Sequence, residues 1–319
     1  MAWTSYDSLL QITTRPETNI EIITDKYGVQ QSSYLPDPPD GHTYYDVLSH
    51  ILHSNTFRNT WIHTGDYIAT NLYWNTPSTA EYYNSYHYES TSYTPYTQTL
   101  KLIANVDTYF GFGNEDHIVG HHIDFISDRY VTSFMPRDEL NSSGNGCPGV
   151  NTTNGARNGI AQPFLASTYG LERLKNFMDT YASLSNQLIE HMIPKYINAP
   201  IRGYSSTANT GSTYCYFGTT QSGMLWLPLA YEIGGAGAIY ENANSGLQKY
   251  SYFTQNLRKM TYLPYPSSFG ATYGALATAQ QGSSRGWAYI NSDGTIRGDA
   301  GNSAGLSGTA DALLCFRFQ

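Results

Sequence analysis

The segment that most constrains this fold is at the end of the chain, where Leu313 to Phe318 read LLCFRF. As a strand, its alternation places Leu314, Phe316 and Phe318 on one side and Leu313, Cys315 and Arg317 on the other. Both sides are largely apolar, so this end is expected to be tied down rather than frayed. His122 to Ser127 (HIDFIS) reads as another short strand, and Thr99 to Val106 (TLKLIANV) as a third. Elsewhere the elements are short and rich in glycine, of which the chain has 29. Short strands, two adjacent helices and many breakers predict an α+β fold built on a small twisted antiparallel sheet with long loops.

Before Pro95 the chain has a different texture. Asn19 to Thr24 (NIEIIT) predicts a strand, and YLPDPPDG after it predicts an extended linker because Pro36, Pro38 and Pro39 forbid helix. Thr43 predicts a helix cap, with Asp46 in the capping-box position. Tyr44, Val47, Leu48, Ile51 and Leu52 then supply one apolar helical face. Trp61 to Trp74 reads as two short strands, or a strand and a turn, around Thr64-Gly65-Asp66. Tyr82 to Tyr96 is poor in aliphatics and rich in Tyr, Ser and Thr, which predicts an extended arm or surface ribbon.

Further on, Gly111 and Gly113 flank Phe112 in a tight turn, and Asn141 to Gly159 predicts a long loop around Cys147. Ser167 and Thr168 predict the cap of a helix with the stripe Leu171, Leu174, Phe177, Met178 and Tyr181. A second helical piece carries Leu184, Leu188, Ile189 and Met192, closed by Pro194. Trp287 to Ile290 and Thr295 to Arg297 predict a hairpin around Asn291-Ser292-Asp293-Gly294. No internal repeat or heptad pattern is visible.

The chain has 319 residues, with 40% hydrophobic and 13% charged residues, the balance of an ordered globular protein. A net charge of −8 and only 17 Lys and Arg argue against nucleic acid as a partner. No apolar run reaches about 18 residues, so no membrane partner is expected. MAWTSYDSLL lacks a basic region followed by a long apolar stretch, so no signal peptide is expected. Three cysteines, Cys147, Cys215 and Cys315, form no CxxC pair, which argues against a disulfide framework and predicts folding in a reducing cytoplasm.

Candidate sites are sparse. Asp116, His117, His121, His122 and Asp124 fall within nine positions, and His117, His122 and Asp124 form a candidate metal set. On a strand, His122 and Asp124 share a face that His121 does not. His42, Asp46, His50 and His53 cluster around the first capped helix, where the spacing predicts an Asp46–His50 pair. Gly282 to Ala310 is dense in small polar residues, with Arg285, Trp287, Tyr289 and Arg297 interspersed, a candidate ligand-binding surface. Tyrosine is the compositional outlier at 29 residues. Tyr82, Tyr83, Tyr86, Tyr88 and Tyr93, with Tyr73, Trp74 and Tyr96, follow neither a helical face nor a sustained strand alternation. Exposed, they would form a patch that monomers seldom tolerate, so the 73–96 arm is expected to pack against a neighbouring subunit in a homo-oligomer. No G-x-S-x-G, Walker sequence or G-x-G-x-x-G before a helix appears, so no catalytic residue and no cofactor is assigned.

Several blocks occur in a recognisable order: YFGFGNEDHIVGHHIDFIS, then QPFLAST, LWLPLAYEIGG, WAYINSDG and ALLCFRF. This order resembles a bacteriophage and prophage family with a C-type-lectin-like fold close to that of formylglycine-generating enzymes. The resemblance covers roughly the last two thirds of the chain. It departs from the family where TYLPYPSS (Thr261 to Ser268) stands in place of a WWLRSP block. It implies a lectin-like display domain over residues 97–319, behind an anchoring and assembly region over residues 1–96. The implied role is a non-enzymatic virion structural protein, made in the host cytoplasm, on a head decoration, head fibre or tail appendage. Its partners would be other virion proteins and further copies of itself, with a host-surface glycan or protein as another. The alternatives are an adhesin for such host ligands and a metal-dependent oxidase of the formylglycine-generating type. That oxidase chemistry uses a pair of cysteines to hold copper, whereas the resemblance leaves Cys315 alone in the terminal strand. It also places Glu232 as an acceptor of backbone hydrogen bonds.

Overall fold

The computed structural model describes residues 2–77, 93–107, 120–128, 132–134, 182–193, 195–201, 209–214, 225–229, 231–234, 248–255, 273–279, 287–291, 296–297 and 310–319. The helices are α1 (Trp3–Ile12), α2 (Tyr44–His53), α3 (Arg58–Trp61), α4 (Asn186–Ile189) and α5 (Ser251–Gln255). The strands of the first half are β1 (Glu21–Thr24), β2 (Gln30–Gln31), β3 (Tyr67–Pro77), β4 (Tyr93–Val106), β5 (Ile123–Ser127) and β6 (Thr132–Phe134). Those that follow are β7 (Ala182–Ser183), β8 (Met192–Ile193), β9 (Tyr196–Ile201), β10 (Asn209–Tyr214), β11 (Tyr273–Ala279), β12 (Trp287–Asn291), β13 (Ile296–Arg297), β14 (Ala310–Ala312) and β15 (Cys315–Phe318).

Helix α2 begins where the sequence reading places it. The Thr43 hydroxyl accepts the Asp46 N–H at 3.1 Å and the Asp46 carboxylate accepts the Thr43 N–H at 2.6 Å, a complete capping box. All five apolar positions of its expected face are buried, and Tyr45 joins them. Trp61 closes α3 instead of opening a strand, and the Thr64-Gly65-Asp66 turn then leads into the single long strand β3. Gly65 has φ +102 and a Cβ there would stand 3.3 Å from the Asn19 side chain, so the turn requires glycine.

The main sheet runs β2-β1-β3-β4-β5-β15-β8, with β7 added beside β3. Every pairing in it is antiparallel except β1 with β3. The chain is therefore a mixed α+β protein around a largely antiparallel sheet. The expected boundary between residues 96 and 97 falls inside β4, and β3 and β4 pair from Tyr67↔Ile103 to Pro77↔Tyr93. One continuous apolar cluster joins Tyr6 and Leu10 of α1 to Phe316 and Phe318 of β15, so the two parts share a core.

The terminal strand is held on both edges, by β5 and by β8. Its two sides differ. Phe316 and Phe318 lie opposite Phe125 and Ile123, on the side that includes Ala104 and Leu102. Cys315 and Arg317 lie opposite Ile126 and Asp124 on the reverse. The expected helix through Met192 stops earlier: α4 ends at Ile189 and Met192 pairs with Phe318 in β8. A ladder partner at the sheet edge outweighs local helical spacing there. The expected hairpin is present, with Tyr289↔Arg297 and Ile290↔Ile296 in register. It belongs to a second sheet, β13-β12-β11-β14-β6, and β9 and β10 form a separate pair.

Candidate functional site: a sealed charge cluster

The reverse side of the main sheet holds two charged residues in otherwise apolar strands, Asp124 of β5 and Arg317 of β15. They are direct cross-strand partners, and antiparallel pairing puts their side chains on one face. Arg317 donates from Nε to Oδ1 at 2.7 Å and from Nη2 to Oδ2 at 3.0 Å, a two-pronged contact. The Lys195 ammonium stands 3.6 Å from the same carboxylate, donates to the Tyr250 hydroxyl at 3.0 Å and pairs closely with Glu232. The other oxygen of Glu232 accepts the Leu229 N–H at 2.9 Å. Tyr250 completes the ring by donating to Asp124 at 3.4 Å.

Two carboxylates and two cations thus balance inside the protein, with Asp124, Glu232 and Lys195 at 0% exposure and Arg317 at 1%. The covering wall comes from residues 225–229, 231–234 and 248–253. Trp226 exchanges both backbone hydrogen bonds with Cys315, and its ring lies 4.9 Å from the Lys195 ammonium. Burial alone would raise the Asp124 pKa, but Arg317 and then Lys195 outweigh it and hold the carboxyl well below its usual range.

His122 adjoins this cluster and is 1% exposed. Its N–H donates to Asp107 at 3.0 Å, yet among the described residues neither ring nitrogen has a hydrogen-bond partner. Burial first, then the Arg317 charge, pulls its pKa down to about 4, so the imidazole is neutral at physiological pH. His121, which like His122 precedes β5, pairs with Asp107 at 2.6 Å.

Of the expected metal set, His122 and Asp124 come together, but both Asp124 oxygens are engaged by Arg317, and His117 lies outside the described residues. Among the described residues no group of three His, Cys, Asp or Glu side chains is placed to hold a metal. The expected Asp46–His50 pair does not form. His50 reaches Asp7 at 2.7 Å and stacks on Trp3, while Asp46 is occupied by its cap and by His191 at 3.1 Å. Helix α1, packing across α2, supplies the competing partner.

Cys315 is free and fully buried, and burial, reinforced by Glu232, pushes its thiol pKa well up. A thiol kept protonated in this way is a poor metal ligand and nucleophile. Cys147 and Cys215 lie outside the described residues, as do Arg285, Tyr82, Tyr83, Tyr86, Tyr88, the expected loop over 141–159, the 261–268 block and the expected helix with its stripe from Leu171 to Tyr181. Trp287 and Tyr289 lie on β12, Arg297 on β13 and Tyr93 at the start of β4.

Sequence reading assigned Glu232 its backbone bond but missed its ion pair, and it missed Lys195 and Tyr250 altogether. The one legible signal was a lone charge of opposite sign in each of two apolar strands. No family model, no curated protein and no solved structure matches the chain.

Proposed function

We propose that this chain is a non-enzymatic bacteriophage virion structural protein that displays a C-type-lectin-like domain on the particle surface. One observation carries the reading. The blocks on which the family resemblance rests supply Asp124, Glu232 and Arg317 to a single buried, charge-balanced cluster. Groups at 0–1% exposure cannot touch a substrate without opening the fold. They serve to lock two strands and their cover in one arrangement, the task of a scaffold that must present a surface and survive outside the cell. Buried ion pairs contribute more to uniqueness of packing than to net stability in some proteins, and that use suits a display domain.

In this reading the Tyr-rich segment between β3 and β4 carries the contacts to further copies or to other virion proteins. The test is to purify particles from a strain that encodes the chain, quantify the protein by mass spectrometry and label it with gold-conjugated antibody. Stoichiometric incorporation with surface label is expected. Its presence in the lysate but not in particles would overturn the proposal.

A further inference from the structure

We infer that the cleft between the β1–β2 turn, β3 and the start of α4 is a binding site for a neutral mono- or disaccharide. The cleft encloses about 380 Å³, at the lower end of the roughly 300–1,000 Å³ typical of small-molecule sites. Its lining mixes apolar surface, from Leu184 and Tyr73, with polar side chains. Here Asp25, Lys26, Asn71, Ser185 and Asn186 surround the exposed Tyr73 ring. The carboxylate and the ammonium are of opposite sign, so the cleft does not select a net charge. Amides, a hydroxyl and a carboxylate beside an accessible ring suit a ligand with several hydroxyls, each donating and accepting, and an apolar face to lay on the ring.

The walls are held in place before any ligand arrives. Asp25 Oδ1 accepts the N–H groups of Tyr27 and Val29 at 2.8 and 2.9 Å, and Gly28 closes the turn at φ +82. The Tyr73 hydroxyl donates to the Lys26 carbonyl at 2.9 Å and ties the turn to β3. Asn71 uses its oxygen to accept from Thr99 at 3.3 Å, which leaves its amino group to donate. Such preorganisation lowers the entropic cost of binding.

The site is independent of the virion proposal and lies apart from the 282–310 surface in sequence.

The test is saturation-transfer NMR and calorimetry on the full chain. The probes are glucose, galactose, N-acetylglucosamine, maltose and lactose, with glucuronate and glucosamine as charged controls. At least one neutral sugar should bind with a Kd of about 10 mM or tighter. Asn71→Ala and, separately, Asn186→Ala should each weaken it about tenfold with unchanged melting, while Trp287→Ala should leave it unaltered. No binding by any neutral sugar at that concentration would overturn the inference, as would preference for a charged control or affinity insensitive to both asparagine variants.

Discussion

Acidification should weaken this protein through one imidazole, and His122→Leu should remove that dependence. In the unfolded chain His122 takes up a proton near its ordinary pKa of 6.5, whereas in the fold it resists until about pH 4. Its folded pKa is depressed, so the associated stability is fully present above 6.5 and lost as pH falls towards 4. Across that window the unfolded state binds up to one more proton. One proton of difference between the states changes stability by about 1.4 kcal/mol for each step of one in pH, so the loss integrated from pH 7.5 to 4.5 is on the order of 2–3 kcal/mol. The charges around the imidazole are Arg317 and Lys195, which oppose its protonation, and Asp124 and Asp107, which favour it. Asp124 adds to acid lability only below its own unfolded value of 3.8, so pH 4.5 isolates the histidine. Urea unfolding of wild type and His122→Leu at both pH values measures the difference, in which other titrating groups and any constant packing change cancel. Equal pH dependence in the two proteins would refute the reasoning. So would a His122 Cε1–H resonance, followed by NMR, that titrates near 6.5.

Asp124→Asn should cost about 3–5 kcal/mol in chemical denaturation by leaving Arg317 short of its buried counter-charge. The double change Asp124→Leu with Arg317→Leu should cost less than that single change, because the Lys195–Glu232 pair remains intact. Thr43→Ala should lower stability by about 1 kcal/mol through loss of the capping box, read as a shift in the urea midpoint at constant slope. Replacing residues 78–92 by a two-residue Asn-Gly turn retains the β3–β4 rungs from Tyr67 to Pro77. That variant is expected to stay folded but run as a monomer in light-scattering chromatography, and an unchanged assembly state would remove the Tyr-rich segment from the interface.

Local chemistry was legible in the sequence wherever neighbouring residues decide the outcome. Thr43 and Asp46 are three positions apart, so the cap of α2 could be read directly, as could the alternation of HIDFIS and of the terminal strand. The burial of both sides of β15 followed from its apolar alternation alone. What the sequence could not show is which distant groups meet. Asp124 and Arg317 are 193 residues apart, and only the β5–β15 register makes them partners. Lys195, Glu232 and Tyr250 come from segments with no common motif, and burial makes their pairing obligatory because an unmatched charge there is costly. His50 illustrates the same limit on a small scale. Helical spacing offered it Asp46, but α1 packs across α2 and brings Asp7 closer. Met192 follows suit, leaving a helical pattern for a place in β8 beside Phe318. Short-range propensities differ by fractions of a kcal/mol per residue, whereas a ladder position or a buried ion pair is decided by everything packed around it.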